Sequence, residues 1–183
     1  MSLTIAKWTI DDYERMIEVG LLDDRRVELL NGEIVEMSPE GKPHAYYCTA
    51  TKDYLTHPLR GQAVIREAAP ITIPSSDSQP EPDLAIVEPL GREYLQHHPY
   101  PENIFWLIEF SNSSLEKDLT VKRKTYAAAG IQEYWVRDLK QETLKVFREP
   151  IAADYTVEIT LTTGTINPVS FPDVVISVER LLH

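Results

Sequence analysis

Two short apolar runs each carry one carboxylate at the edge. They are Glu81-Pro82-Asp83-Leu84-Ala85-Ile86-Val87 and, some twenty residues on, Ile104-Phe105-Trp106-Leu107-Ile108-Glu109-Phe110-Ser111. A carboxylate set in an apolar strand is costly unless it is paired or holds a metal ion. Asp83 and Glu109, on strands able to lie side by side, suggest an oxygen-ligand site for a hard cation, the core of a metal-dependent hydrolase. Alternation places Phe105, Leu107, Glu109 and Ser111 on one strand face. Glu109 and Ser111 then lie near the strand's C-terminal end, while Asp83 stands at the entrance of its own strand. Antiparallel pairing of the two strands would bring the carboxylates together. On the helix that follows, Asp118, Lys122 and Tyr126 are four residues apart and share a face able to look back on Glu109. A lysine there would orient an attacking water or stabilise a developing phosphorane charge.

Each of these residues also has a plainer reading. Asp83 after a proline can simply start a turn. Asp118 and Lys122 can form an i,i+4 surface ion pair worth a few tenths of a kcal/mol. Glu28 reads equally as a site residue or a strand-face carboxylate, and His44 as a surface histidine at a helix start. The pair His97-His98 lies in a polar loop with nothing to orient it. Tyr126, Tyr134 and Trp135 read as packing, and Cys48 as a small buried hydrophobe.

Several elements must position these groups. Thr9 to Gly20 reads as a helix with Thr9 as N-cap, acids in the first turn and Gly20 at the stop. Asn31-Gly32 between Arg26–Leu30 and Glu33–Met37 signals a hairpin with a type I′ turn. Pro43 to Leu55 reads as a helix ending near Pro58. Ala63–Ala68 and Ile71–Ile73 read as strand, Ser113 to Gly130 as a helix, and Glu133–Asp138 and Thr143–Arg148 as two strands. A weaker β region over Tyr155–Ile166 leads to a short helix near Val178–Leu182. With no repeat or linker, residues 1–183 read as one α/β domain, a curved mixed sheet flanked by helices.

Composition narrows the classes. A chain of 183 residues, 43% hydrophobic and 26% charged, suits one globular domain with a sizeable core. It has no apolar run long enough for a membrane span. Met1 to Trp8 lacks the apolar stretch of a secretory signal, so the cytoplasm is the expected compartment. A single cysteine excludes an internal disulfide framework and a four-cysteine zinc site. The net charge of −11 argues against strong non-specific grip on duplex DNA, which draws its affinity from phosphate neutralisation. It leaves room for a local basic mouth, and the densest basic patch is Lys117, Lys122, Arg123 and Lys124, with Arg137 and Lys140 further on.

Pro82-Asp83, Ile108-Glu109-Phe110-Ser111 and Asp118-x-x-x-Lys122-x-x-x-Tyr126-Ala127-Ala128-Ala129-Gly130-Ile131-x-Glu133-Tyr134-Trp135 together resemble the Uma2 family. These are restriction-endonuclease-like proteins of the PD-(D/E)XK superfamily. Val27-Glu28-Leu29-Leu30-Asn31-Gly32-Glu33, Met37-Ser38-Pro39 and His44 resemble the family's N-terminal pattern. The similarity covers roughly residues 8 to 150, and the Tyr126 to Trp135 run is its most specific part. It implies a central four-stranded mixed sheet with helices on its faces, and Asp83 and Glu109 as Mg²⁺ or Mn²⁺ ligands. The backbone carbonyl of Phe110 would complete the coordination, and Glu28 would add a third carboxylate from the hairpin. The superfamily's lysine two residues after the glutamate is Ser111 here. Lys122 is the best replacement, and Lys124 a weaker one because it lies on another helix face.

The resulting expectation is a metal-dependent endonuclease acting on DNA, with a homodimer as the form that would cut both strands. Two rival classes stand beside it. One is a catalytically idle member of the same fold serving as a binding or assembly module. The other is a metal-independent enzyme using paired carboxylates for acid–base work, as in glycoside hydrolysis. The latter needs an aromatic sugar cleft, whereas the aromatics here lie mostly in apparent core strands.

Overall fold

The computed structural model describes residues 5–183. Helix α1 (Ile10–Glu18) opens with a capping box: the Thr9 side chain accepts from the Asp12 amide, and Asp12 reaches back to the Thr9 amide. Strands β1 (Val27–Leu30) and β2 (Glu33–Glu36) pair antiparallel across Asn31-Gly32, both at positive φ as the turn requires. Helix α2 (Lys42–Thr56) follows, with Pro43 in its first turn, where its missing N–H costs nothing.

The centre is a sheet of six strands, two more than the family resemblance implies. They are β3 (Val64–Glu67), β4 (Leu84–Val87), β5 (Ile104–Ser111), β6 (Glu133–Asp138), β7 (Thr143–Ile151) and β8 (Asp154–Leu161), in that spatial order. All neighbours are antiparallel except β5 and β6, whose parallel pairing requires a crossover. The crossover is helix α3 over residues 115–128, built from Leu115–Lys117, a π-turn at Asp118–Lys122, and Arg123–Ala128. Two further short strands, β9 (Thr165–Ile166) and β10 (Ile176–Ser177), pair with each other before a terminal helical turn at Glu179–Leu182.

Both faces of the sheet are covered. Trp106, Ile108, Phe110 and Trp135 pack with Cys48 and Leu55 of α2 and with Leu181 and Leu182. On the other face Leu107, Tyr134, Val136 and Phe147 pack with Tyr126 and Ala127 of α3. Each large side chain so buried contributes about 1.5–3 kcal/mol. No helix among the described residues is long and apolar enough to cross a membrane.

Three expectations are corrected. Ile71–Ile73 is buried but forms only an isolated bridge, Ile73 to Ser78. Ala68 turns the chain with φ 43° and Pro70 lacks a donor, so β3 ends at Glu67. Phe105 does not share the face of Leu107 and Glu109; it packs on Phe171 in the α2-side core. The β4–β5 register shifts between Ile86 and Val87, whose partners are Trp106 and Ile104, and that extra residue breaks the alternation. Arg137 is no part of a basic surface. It is buried, donating to the carbonyls of Leu181, Leu182 and Asp138 over the ring of Tyr47.

Glu133, in the most family-specific run, is likewise structural. Wholly buried, it accepts from Arg148, from the Trp135 indole and from the Val169 amide. Glu133→Ala strands the Arg148 charge, and an urea unfolding curve should show a loss of about 3–5 kcal/mol.

Candidate active site

Asp83 immediately precedes β4, and Leu84 pairs with Ile108 of antiparallel β5. The start of one strand thereby meets the end of the other, and Asp83 and Glu109 come together. The Asp83 amide donates to Glu109 Oε2 at 3.4 Å, and the Phe110 amide donates to Asp83 Oδ2 at 2.7 Å. Asp83 Oδ2 is also 2.9 Å from His44 Nε2, delivered by the first turns of α2. His44 is thus part of the cluster, with little exposure, rather than a surface residue.

Helix α3 supplies the other side. Glu109 Oε1 receives Lys122 Nζ at 2.9 Å and the Tyr126 hydroxyl at 3.2 Å. Lys122 also lies 3.2 Å from Glu28 Oε2 and 3.4 Å from the Glu81 carbonyl. The surface ion pair between Asp118 and Lys122 does not form. Asp118 is buried and accepts from the Ser111 hydroxyl at 2.7 Å. The residue standing where the superfamily has its strand lysine therefore ties the start of α3 to the end of β5. Lys124 lies outside the cluster and the cleft, as its helix phase predicts.

Glu28 projects from β1 into the same cluster with no exposed side-chain surface. Its Oε1 takes Lys117 Nζ at 2.6 Å, and its Oε2 takes the Glu81 amide at 3.2 Å as well as Lys122. In a regular α-helix, residues five apart such as Lys117 and Lys122 point about 140° apart. The π-turn closes i to i+5, with the Arg123 amide donating to the Asp118 carbonyl, and brings both lysines onto one carboxylate. The Tyr134 hydroxyl donates to that same carbonyl at 3.2 Å, giving this residue a polar role besides packing.

The cluster opens on a cleft lined by Asp83, Glu109, Phe110, His44, Lys117 and Lys122, with Arg26, Glu40 and Asp118 at its walls. Burial pushes the Glu109 carboxyl well up, opposed by Lys122 and reinforced by its like charges Asp83 and Asp118. Burial likewise raises Asp118. Burial works to discharge Lys122, yet Glu109, Glu28, Asp118 and Asp83 outweigh it and hold the ammonium charged. For Glu28, burial works upward, but Lys122 and Lys117 overcome it and leave the carboxyl below its ordinary value.

A carboxyl depressed in the fold stabilises it fully above the unfolded value, near 4.5, and that contribution is lost as pH falls through the lower folded value. The stability gap between wild type and Glu28→Gln is therefore expected to be widest near neutral pH and to close below about pH 4.5. Thermal melts from pH 7 to 3 measure it.

The donor set fits a hard divalent cation. Asp83 and Glu109 are adjacent oxygen donors facing one cleft; burial is the main cause that raises Glu109, and the like charge of Asp83 that adds to it is what a cation between them would relieve. Among the described residues no three His, Cys, Asp or Glu form a ready ligand group. Mg²⁺ nevertheless commonly binds through one or two carboxylates and keeps several waters.

Sequence reasoning passed over Lys117 as one member of a charge patch and did not weigh Glu81 at all. Glu81 acts through its backbone, which side-chain chemistry does not announce. Lys117 depends on the π-turn, which has no sequence signal of its own.

The mixed six-stranded sheet, with carboxylates meeting at the β4–β5 junction, is the architecture of a nuclease-like α/β protein. A crystal structure of a "putative nuclease belonging to DUF820" from Anabaena variabilis superposes with a TM-score of 0.76. The two chains are 16% identical, and the match covers 95% of this chain and 97% of the other, so it speaks to fold alone. No curated protein matches. The Uma2 model, described as "putative restriction endonuclease", matches residues 10–179, and the chain belongs to the Uma2 family.

Proposed function

We propose that the protein is a metal-dependent endonuclease that hydrolyses phosphodiester bonds of DNA. The observation that carries this reading is the meeting of Asp83 and Glu109 at one cleft, backed by a buried lysine on Glu109. Asp83 and Glu109, with the backbone carbonyl of Phe110, would hold Mg²⁺ or Mn²⁺. Such an ion supplies Lewis acidity toward the phosphate and lowers the pKa of a water.

The chain's own residues do the rest. His44 and the Phe110 amide fix Asp83 Oδ2 at the cleft. Tyr126 and Lys122 fix Glu109 Oε1, and the Asp83 amide donates to its Oε2. Lys122 adds a fixed positive charge in a dry, preorganised site, where it favours the extra negative charge of the transition state. Glu28 holds that lysine in place.

Family membership and the fold likeness support the nuclease class. The test is cleavage of single- and double-stranded DNA with Mg²⁺, with Mn²⁺ and with chelator. Metal-dependent cutting is expected, and equal activity in chelator would contradict it. The idle binding module is the second reading, favoured by Ser111, whose hydroxyl is already committed to Asp118.

A further inference from the structure

The two lysines at the cleft are not equivalent, and the donor inventory separates them. An ammonium has three N–H donors. Lys122 Nζ already has three oxygens around it: Glu109 Oε1 at 2.9 Å, Glu28 Oε2 at 3.2 Å and the Glu81 carbonyl at 3.4 Å. Its side chain is 3% exposed. A phosphate could bond to Lys122 only by displacing one of these, and displacing Glu28 would leave a wholly buried carboxylate short of a partner. Lys117 differs on both counts. Its Nζ has a single oxygen partner among the described residues, Glu28 Oε1 at 2.6 Å, and its side chain is 23% exposed at the cleft wall.

From Glu109 the charges alternate outward through Lys122 and Glu28 to Lys117. Lys117 stands at the far end of that relay from the carboxylates against which a reacting phosphate must sit. Resting on the nuclease reading, we propose that Lys117 is the cation that touches the substrate. It takes the phosphate next to the scissile one, and Glu28 is the positioning residue that aims it. The substrate class that follows is a nucleic-acid strand with at least two consecutive phosphates, in preference to an isolated phosphodiester. The chain's net charge of −11 agrees with a grip of this kind, confined to few phosphates.

The experiment compares wild type, Lys117→Gln and Lys117→Arg, each checked by thermal melting. Binding of a fluorescein-labelled single-stranded 12-mer is followed by anisotropy in Ca²⁺ over a range of salt. Hydrolysis of the 12-mer and of bis(4-nitrophenyl) phosphate, which has no second phosphate, is followed in Mn²⁺. Losing one single-strand phosphate contact should cut the salt slope of log K by about 0.7. Lys117→Gln should weaken 12-mer binding by about tenfold, and Lys117→Arg should restore both. The fall in kcat/KM should be about tenfold larger on the 12-mer than on the small diester.

An unchanged slope, equal losses on the two substrates, or no rescue by arginine would overturn the proposal and leave the nuclease reading standing. If wild type binds the 12-mer but cleaves nothing, the nuclease reading falls, and the slope alone decides Lys117. If wild type hydrolyses the small diester but does not bind the 12-mer, this proposal falls alone.

Discussion

Replacing Lys122 by methionine is expected to lower stability by about 3–5 kcal/mol and to abolish cleavage. Among the described residues the lysine is the only cation paired with Glu109, and it shares Glu28 with Lys117. Both carboxylates are buried, so removing the ammonium leaves Glu109 with only the Tyr126 hydroxyl on its Oε1. Breaking a buried ion pair from one side is costly because the group left behind must either stay charged in a poor solvent or take up a proton. In a chain of this size each kcal/mol is worth about 2–4 °C in Tm, so a fall of roughly 6–20 °C should appear in a thermal melt. The size of this loss separates Lys122 from a surface lysine, whose removal would move Tm by about 4 °C at most.

Asp83→Asn and Glu109→Gln should separate the two effects, with large losses of activity and small losses of stability. Each keeps the side chain's shape while removing the negative charge that a cation needs, and cleavage should fall by about 10³-fold or more. Burial already pushes the Glu109 carboxyl toward its neutral form, so a neutral amide there suits the fold. Lys122 would keep Glu28 as its counter-ion. In Asp83→Asn the Phe110 amide and His44 still have an oxygen to meet, provided the amide orients toward them. Single-turnover cleavage beside thermal melts of the same preparations measures both effects. A variant that unfolds and loses activity together would point to a purely structural role for that carboxylate.

Much of this site was legible in the chain because its parts follow local rules. A carboxylate at the entrance of the Asp83 strand and one at the exit of the Glu109 strand must meet once the two strands pair antiparallel, and the fold supplies that pairing. The caps of α1, the Asn31-Gly32 turn and the spacing of Lys122 from Tyr126 are also local, and all three recur in the fold. What stayed hidden depends on tertiary packing. Nothing in Phe105 marks the register shift that turns it toward Phe171. Arg137 looks like any surface arginine until the C-terminal carbonyls arrive from more than forty residues away. The π-turn matters most: the helix periodicity that groups Asp118, Lys122 and Tyr126 correctly also assigns Lys117 to another face. His44 shows the same limit, since a histidine at a helix start meets Asp83 only once α2 is laid across the sheet.

The paired carboxylates as a metal site are tested most directly by calorimetric titration of Mn²⁺ into wild type, Asp83→Asn and Glu109→Gln at neutral pH. Saturable binding in wild type that weakens by tenfold or more in each variant is the expected result. Equal binding by all three proteins, or none by wild type, would contradict it.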